Sequence, residues 1–137
     1  MMNWLMTSFV YLLIYFIATV LSCGGNFNES DDLAILASLK SDVLLLVGEA
    51  GCSEIDECRT LPFGAKPCGG PWEYLVYSTT DSDTLKIKEK VEEHNEWNRV
   101  LNSRYGYISD CSIPEEPQLL CLNGKCIDGN KTGGETP

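Results

Sequence analysis

Six cysteines, Cys52, Cys58, Cys68, Cys111, Cys121 and Cys126, fall between positions 52 and 126 of this 137-residue chain. Each disulfide fixes two Cα atoms to within roughly 4.4–6.8 Å, so no other feature restricts the fold as tightly. Whether they pair depends on compartment. Residues 1–22 carry no charged side chain, and residues 4–21 (WLMTSFVYLLIYFIATVL) are mostly apolar. Such a run is near the lower limit for spanning a bilayer and long for a signal core. Either role places the remaining chain on the non-cytoplasmic side, where an even cysteine set forms disulfides. Three bridges are expected, and the fifteen connectivities of six cysteines stay open. Zinc would call for CxxC pairs or Cys/His clusters in a reducing compartment. The chain offers neither, and we expect no metal and no cofactor.

The seventh cysteine stands apart. Cys23 ends the apolar run in the context Val20-Leu21-Ser22-Cys23-Gly24-Gly25. It resembles the lipobox of bacterial lipoproteins, whose cysteine becomes the lipidated first residue of the mature protein. The resemblance implies a signal peptide over residues 1–22 and a lipid anchor, with palmitate-type acyl chains, on Cys23. One acyl chain holds a protein only marginally, at about 0.8 kcal/mol per buried methylene, whereas several hold it firmly. Gly24, where this resemblance associates Asp with inner-membrane retention, favours an outer-membrane destination in a Gram-negative envelope. Met1-Met2-Asn3 lacks the Lys or Arg of a usual signal start, which keeps a single N-terminal transmembrane anchor as the alternative.

Behind this segment the sequence predicts a tether over residues 23–30, one domain over 31–128 and a disordered tail over 129–137. The formal net charge of −10 falls entirely after residue 22, which disfavours nucleic-acid or anionic-lipid binding and favours solubility. A helix is expected over 31–48, capped by Ser30, with Leu33, Leu36, Leu39, Val43, Leu46 and Val47 on one face. Strands are expected over 57–61 and 72–79, joined by a loop (61–71, LPFGAKPCGGP) whose prolines and glycines give it a defined shape. A second helix is expected over 83–105, with Ile87, Val91, His94, Asn98, Leu101 and Tyr105 on one stripe and Gly106 as its stop. Residues 118–128 read as a hairpin around Asn123-Gly124, a favoured type I′ pair. There Cys121 and Cys126 would face each other, bonded together or to two distant cysteines.

Catalytic signals are sparse. His94 is the single histidine, and no nucleophile motif accompanies Ser78, Ser109 or the acids Glu93 and Asp110. His94 and Asn98 are expected as polar groups satisfied where helix meets sheet. The acidic pairs Asp31/Asp32, Glu92/Glu93 and Glu115/Glu116 lack calcium-loop spacing and read as solvated surface. Asn28 and Asn130 match the glycosylation pattern, which carries no weight in a bacterial chain. The shaped loop is the candidate binding surface, through Arg59, Lys66, Pro67, Gly69, Gly70 and Pro71, since a rigid loop binds without an ordering cost.

The blocks Glu57-Cys58-Arg59, Gly64-Ala65-Lys66-Pro67-Cys68-Gly69-Gly70-Pro71, Tyr74, Tyr77-Ser78, Ser109-Asp110-Cys111 and Cys121/Gly124/Cys126 resemble a group of small uncharacterised bacterial lipoproteins and secreted proteins. That resemblance implies an extracytoplasmic, disulfide-rich domain; it carries over no established activity or catalytic residues and leaves the function open. The expected fold is α+β, two helices packed on a small antiparallel sheet behind the N-terminal apolar helix. The expected function is a non-catalytic, membrane-anchored envelope module, structural or interacting, whose partners are the membrane through Cys23 and an envelope or extracellular protein. A protease-inhibitor-like or ligand-binding module built on loop 61–71 is the alternative.

Overall fold

The computed structural model describes residues 28–132; residues 1–22, expected as a signal peptide, and Cys23 lie outside the described residues. Helix α1 (Glu29–Val47) is capped by Asn28, whose side chain accepts from the Ser30 amide at 3.2 Å. The cap therefore lies two residues before the expected Ser30, because an extended Asn28 reaches the free amides of the first turn. Glu29 and Ser30 belong to the helix, not to a tether. Strand β1 (Cys58–Phe63) follows a 3-10 turn (Ile55–Glu57) and pairs antiparallel with β2 (Glu73–Ser78). Helix α2 (Thr84–Tyr105) starts at an Asp83 cap and ends at Gly106, which adopts the left-handed conformation a helix stop requires.

Strands β3 (Leu119–Leu122) and β4 (Lys125–Asp128) form a second hairpin around Asn123-Gly124, both at positive φ. The turn is thus of the primed kind that matches strand twist. The single small sheet expected from the sequence is instead two two-stranded sheets. Among the described residues one isolated bridge, Gly51–Lys125, extends the ladder beyond β4, and the two hairpins are joined by the Cys58–Cys126 bond and by packed side chains. The predicted disordered tail also differs: Gly129–Thr132 form a short helix, α3. Its start is tied back by the Gly129 amide to the Gln118 carbonyl at 2.7 Å.

Three disulfides hold the architecture: Cys52–Cys121, Cys58–Cys126 and Cys68–Cys111. Cys121 and Cys126 face each other across the hairpin yet bond outward, to the segment entering β1 and to β1 itself. The core collects Val43 and Val47 of α1, Cys58 and Phe63 of β1, Leu75 and Tyr77 of β2, and Ile87 and Val91 of α2. Asp81, Ser82 and Asp83 each close a different junction. Asp81 Oδ2 accepts from the Gly51 amide, Ser82 Oγ donates to the Val47 carbonyl, and Asp83 caps α2.

Candidate functional site

Residues 64–71 form the loop of the first hairpin, closed at its base by the Trp72 amide donating to the Phe63 carbonyl at 3.0 Å. Three asparagines of α2 hold this loop from below. Asn95 Oδ1 accepts from the Gly64 amide at 2.7 Å, and its Nδ2 donates to the Pro62 carbonyl at 3.1 Å. Asn98 Oδ1 accepts from the Ala65 amide at 2.9 Å, and Asn102 Nδ2 donates to the Ala65 carbonyl at 2.7 Å. Positions 95, 98 and 102 recur at helical spacing, so one face of α2 presents a row of amides. The row supplies partners to backbone groups that a buried loop would otherwise leave orphaned.

Within the loop, Lys66 is a buried strut. Its side chain is only 6% exposed, and Nζ donates to Asp110 Oδ1 at 3.0 Å, the Ser112 carbonyl at 2.6 Å and Ser112 Oγ at 3.0 Å. That ammonium holds the Asp110 carboxyl well down, to about 2, with the Ser112 hydrogen bonds adding to the effect. The Cys68–Cys111 bridge ties the same two segments covalently. Gly69 and Gly70 turn the chain at positive φ, and the Gly70 carbonyl accepts from the Lys66 amide. Arg59 is exposed, but its Nη1 folds back onto the carbonyls of Asp56 and Cys58. Neither cation of the sequence-predicted binding loop projects freely, and the loop lies against α2.

Two grooves flank the clamped loop. The first, about 280 Å³, is lined by Leu33, Leu36 and Ala37 of α1, by Phe63 and Trp72, and by His94 on its floor. Lys40 and Glu73 close one side through a 2.9 Å ion pair. The second, about 450 Å³, is lined by Lys66, Pro67, Gly69, Gly70 and Pro71 opposite Glu92, Asn95 and Arg99. In that groove Arg99 is paired with Glu92 and Glu96 and Lys66 with Asp110. The second groove collects most of the predicted binding residues, whereas the first offers apolar surface that water solvates poorly.

His94 is buried, stacked on Phe63 at 4.2 Å with the rings 16° from parallel. Burial lowers its pKa, so its imidazole is neutral at pH 7. Among the described residues its polar side-chain contact is Asn95 Oδ1, at 3.4 Å from Nδ1. It shapes the groove floor as a flat aromatic surface.

The outward side of α1 is the feature that sequence reading missed. Leu33, Ala34, Ile35, Ala37, Ser38, Ser41, Leu44 and Leu45 are all exposed, and Leu45 is 77% exposed. Of the six apolar residues placed on one core stripe, Val43 and Val47 are buried, Leu36, Leu39 and Leu46 are half-buried, and Leu33 is exposed. The signal was present in the sequence: apolar residues occur all round this helix, a pattern that demands cover on both sides. Trp72 is also exposed and stands across the first groove from Leu33 and Ala37, extending the apolar surface beyond α1.

The Sγ atoms of Cys52, Cys58 and Cys126 lie within 4.8 Å of one another. All three are spent in disulfides, which leaves no thiolate there for a metal. No family model, curated protein or solved structure matches this chain.

Proposed function

We propose that this protein is a non-catalytic, membrane-tethered extracytoplasmic interaction module whose first groove takes the alkyl part of an amphiphile. The observation that carries the reading is the groove itself, an apolar slot between α1 and Trp72. Its far wall is fixed in advance by the three asparagines and the Lys66 strut. A wall already ordered binds without the entropy cost of ordering it. The three disulfides fit the oxidising compartment that this reading requires. A lipid on Cys23 supplies the tether, with a transmembrane segment over residues 1–22 as the alternative. A protease-inhibitor role is weaker, because Lys66 is buried and Arg59 is folded back.

His94 makes the groove directly observable, since the chain has a single histidine. Titration with monomeric dihexanoyl phosphatidylcholine should shift its ring proton resonances saturably. Ala37→Trp, which places an indole in the slot, should abolish the shift; a shift that persists there would assign binding elsewhere. For the tether, metabolic labelling with a tagged fatty acid should mark the protein, and Cys23→Ser should remove the mark. Retained label would refute lipidation at that residue.

A further inference from the structure

We propose that the outward face of α1 lies in the plane of the bilayer surface, so that the helix is a lipid-docking element in addition to the wall of the groove. The proposal rests on the reading that residues 1–23 anchor the chain. Among the described residues nothing covers this face: Leu33, Ile35, Leu44 and Leu45 project outward among Ala34, Ala37, Ser38 and Ser41, with the exposed carboxylates of Asp31 and Asp42 at its edge. An apolar surface of that extent marks a site of contact. Its other side is committed, since Val43 and Val47 enter the core and Trp97 Nε1 donates to the Asp32 carbonyl from α2.

The distance along the chain decides the occupant. The charge-free run ends at Ser22, and α1 begins at Glu29. The six residues between reach at most about 20 Å when fully extended, at roughly 3.5 Å each. A chain anchored at or before Cys23 therefore cannot carry the start of α1 far from the lipid headgroups. Glu29, Asp31, Asp32, Lys40 and Asp42 interrupt the helix, and among the described residues no helix is long and apolar enough to cross a membrane. With those charges along it, the helix can meet a bilayer only from the surface, its exposed apolar side chains against the headgroup layer. Trp72 sits beyond the groove as a second contact, and an indole is suited to the headgroup layer because its body is apolar and its N–H polar. Lys40 stands at the edge of the face, where a long aliphatic stem covers apolar surface while its ammonium stays in water.

The test uses the full chain in phosphatidylcholine vesicles that contain a phospholipid bearing a diazirine in its acyl chain. After photolysis, reduction and trypsin digestion, the cut after Lys40 separates the distal half of α1 (residues 41–59) from the N-terminal run. Docking predicts lipid adducts on Leu44 or Leu45 within the 41–59 peptide. The variant Leu44→Glu/Leu45→Glu changes two exposed side chains and should fold. It should still float with the vesicles while the 41–59 adducts fall about tenfold, as expected when two apolar contacts become charges. Adducts confined to residues 1–22 in floating protein would overturn the docking and leave the anchor standing. Protein that does not float would overturn the anchor and the docking together. An unlabelled 41–59 peptide accompanied by a chemically cross-linked dimer would assign the face to a second copy of the chain instead.

Discussion

At the residue scale, the ends of the two helices are joined by one carboxylate. Asp32, only 8% exposed, accepts from the Tyr105 hydroxyl at 2.7 Å and pairs with Arg104. The Tyr105 hydrogen bond is the largest influence holding its carboxyl below the usual range, and Arg104 adds to it. A folded-state pKa below the unfolded one means that, between the two values, the native protein binds fewer protons than the unfolded chain does. The stabilisation is present above the ordinary carboxylate value of 3.8 and is lost as pH drops through the lowered one. Asp110, held to about 2 by Lys66 and Ser112, follows the same sign over the window from 3.8 down to about 2. Thermal unfolding followed from pH 5 to pH 2 should therefore fall steeply. Asp32→Asn and Asp110→Asn should each flatten part of that slope, and an unchanged slope in both would refute the assignment. In the sequence Asp32 reads as surface, paired only with its neighbour Asp31. Its partners lie more than 70 positions away, and no local pattern announces them.

Among the elements, the helices and hairpins are legible because their signals are local. Gly106 stops α2 where a left-handed residue is needed, and Asn123-Gly124 turn the second hairpin, both through conformations that glycine or asparagine adopts cheaply. The placing of Cys121 opposite Cys126 is legible for the same reason. The asparagine row is half legible. Asn98 stands on the core stripe, but Asn95 and Asn102 gain meaning only when loop 64–71 is laid across them. Asn98→Ala leaves the buried Ala65 amide without its acceptor and should cost about 1–3 kcal/mol, read as a lower chemical-denaturation midpoint with an unchanged slope. A cost well under that range would show that water replaces the side chain. Gly64 offers a sharper probe of the groove. It sits at φ 77°, and an added Cβ would come 2.8 Å from Trp72 Cδ1. Gly64→Ala should cost about 1–3 kcal/mol in backbone strain and should displace the indole, weakening amphiphile binding along with stability. If binding survived unchanged, Trp72 would not be a wall of the site.

Across the whole molecule, the connectivity of the bridges cannot be read from spacing, because chain separation does not say which hairpin lies beside which. The tertiary arrangement supplies it: β1 meets the second hairpin and loop 64–71 meets the strand-free segment around Cys111. The resulting topology makes two bridges interdependent. Cys52–Cys121 and Cys58–Cys126 close loops of 69 and 68 residues that are almost the same loop. On the chain-entropy account, the first to form restricts the unfolded chain by about 4.4 kcal/mol. The other then closes only the short ring made by residues 52–58 and 121–126, thirteen residues, and adds about 2.9 kcal/mol. Removing either bridge alone leaves the long loop closed, so each single removal should cost about 3 kcal/mol, whereas removing both should cost about 7. The excess over additivity, about 1.5 kcal/mol, arises in the unfolded state and needs no contact to change in the native one. Cys68–Cys111 closes a separate 43-residue loop at the surface, nested within the others. Chemical denaturation of Cys52→Ser/Cys121→Ser, Cys58→Ala/Cys126→Ala and the fourfold variant closes the cycle. Strict additivity would mean that these bridges act through native packing around the buried Cys58 and Cys126. A positive excess would place their main effect in holding an acidic chain with a small core close to its folded dimensions.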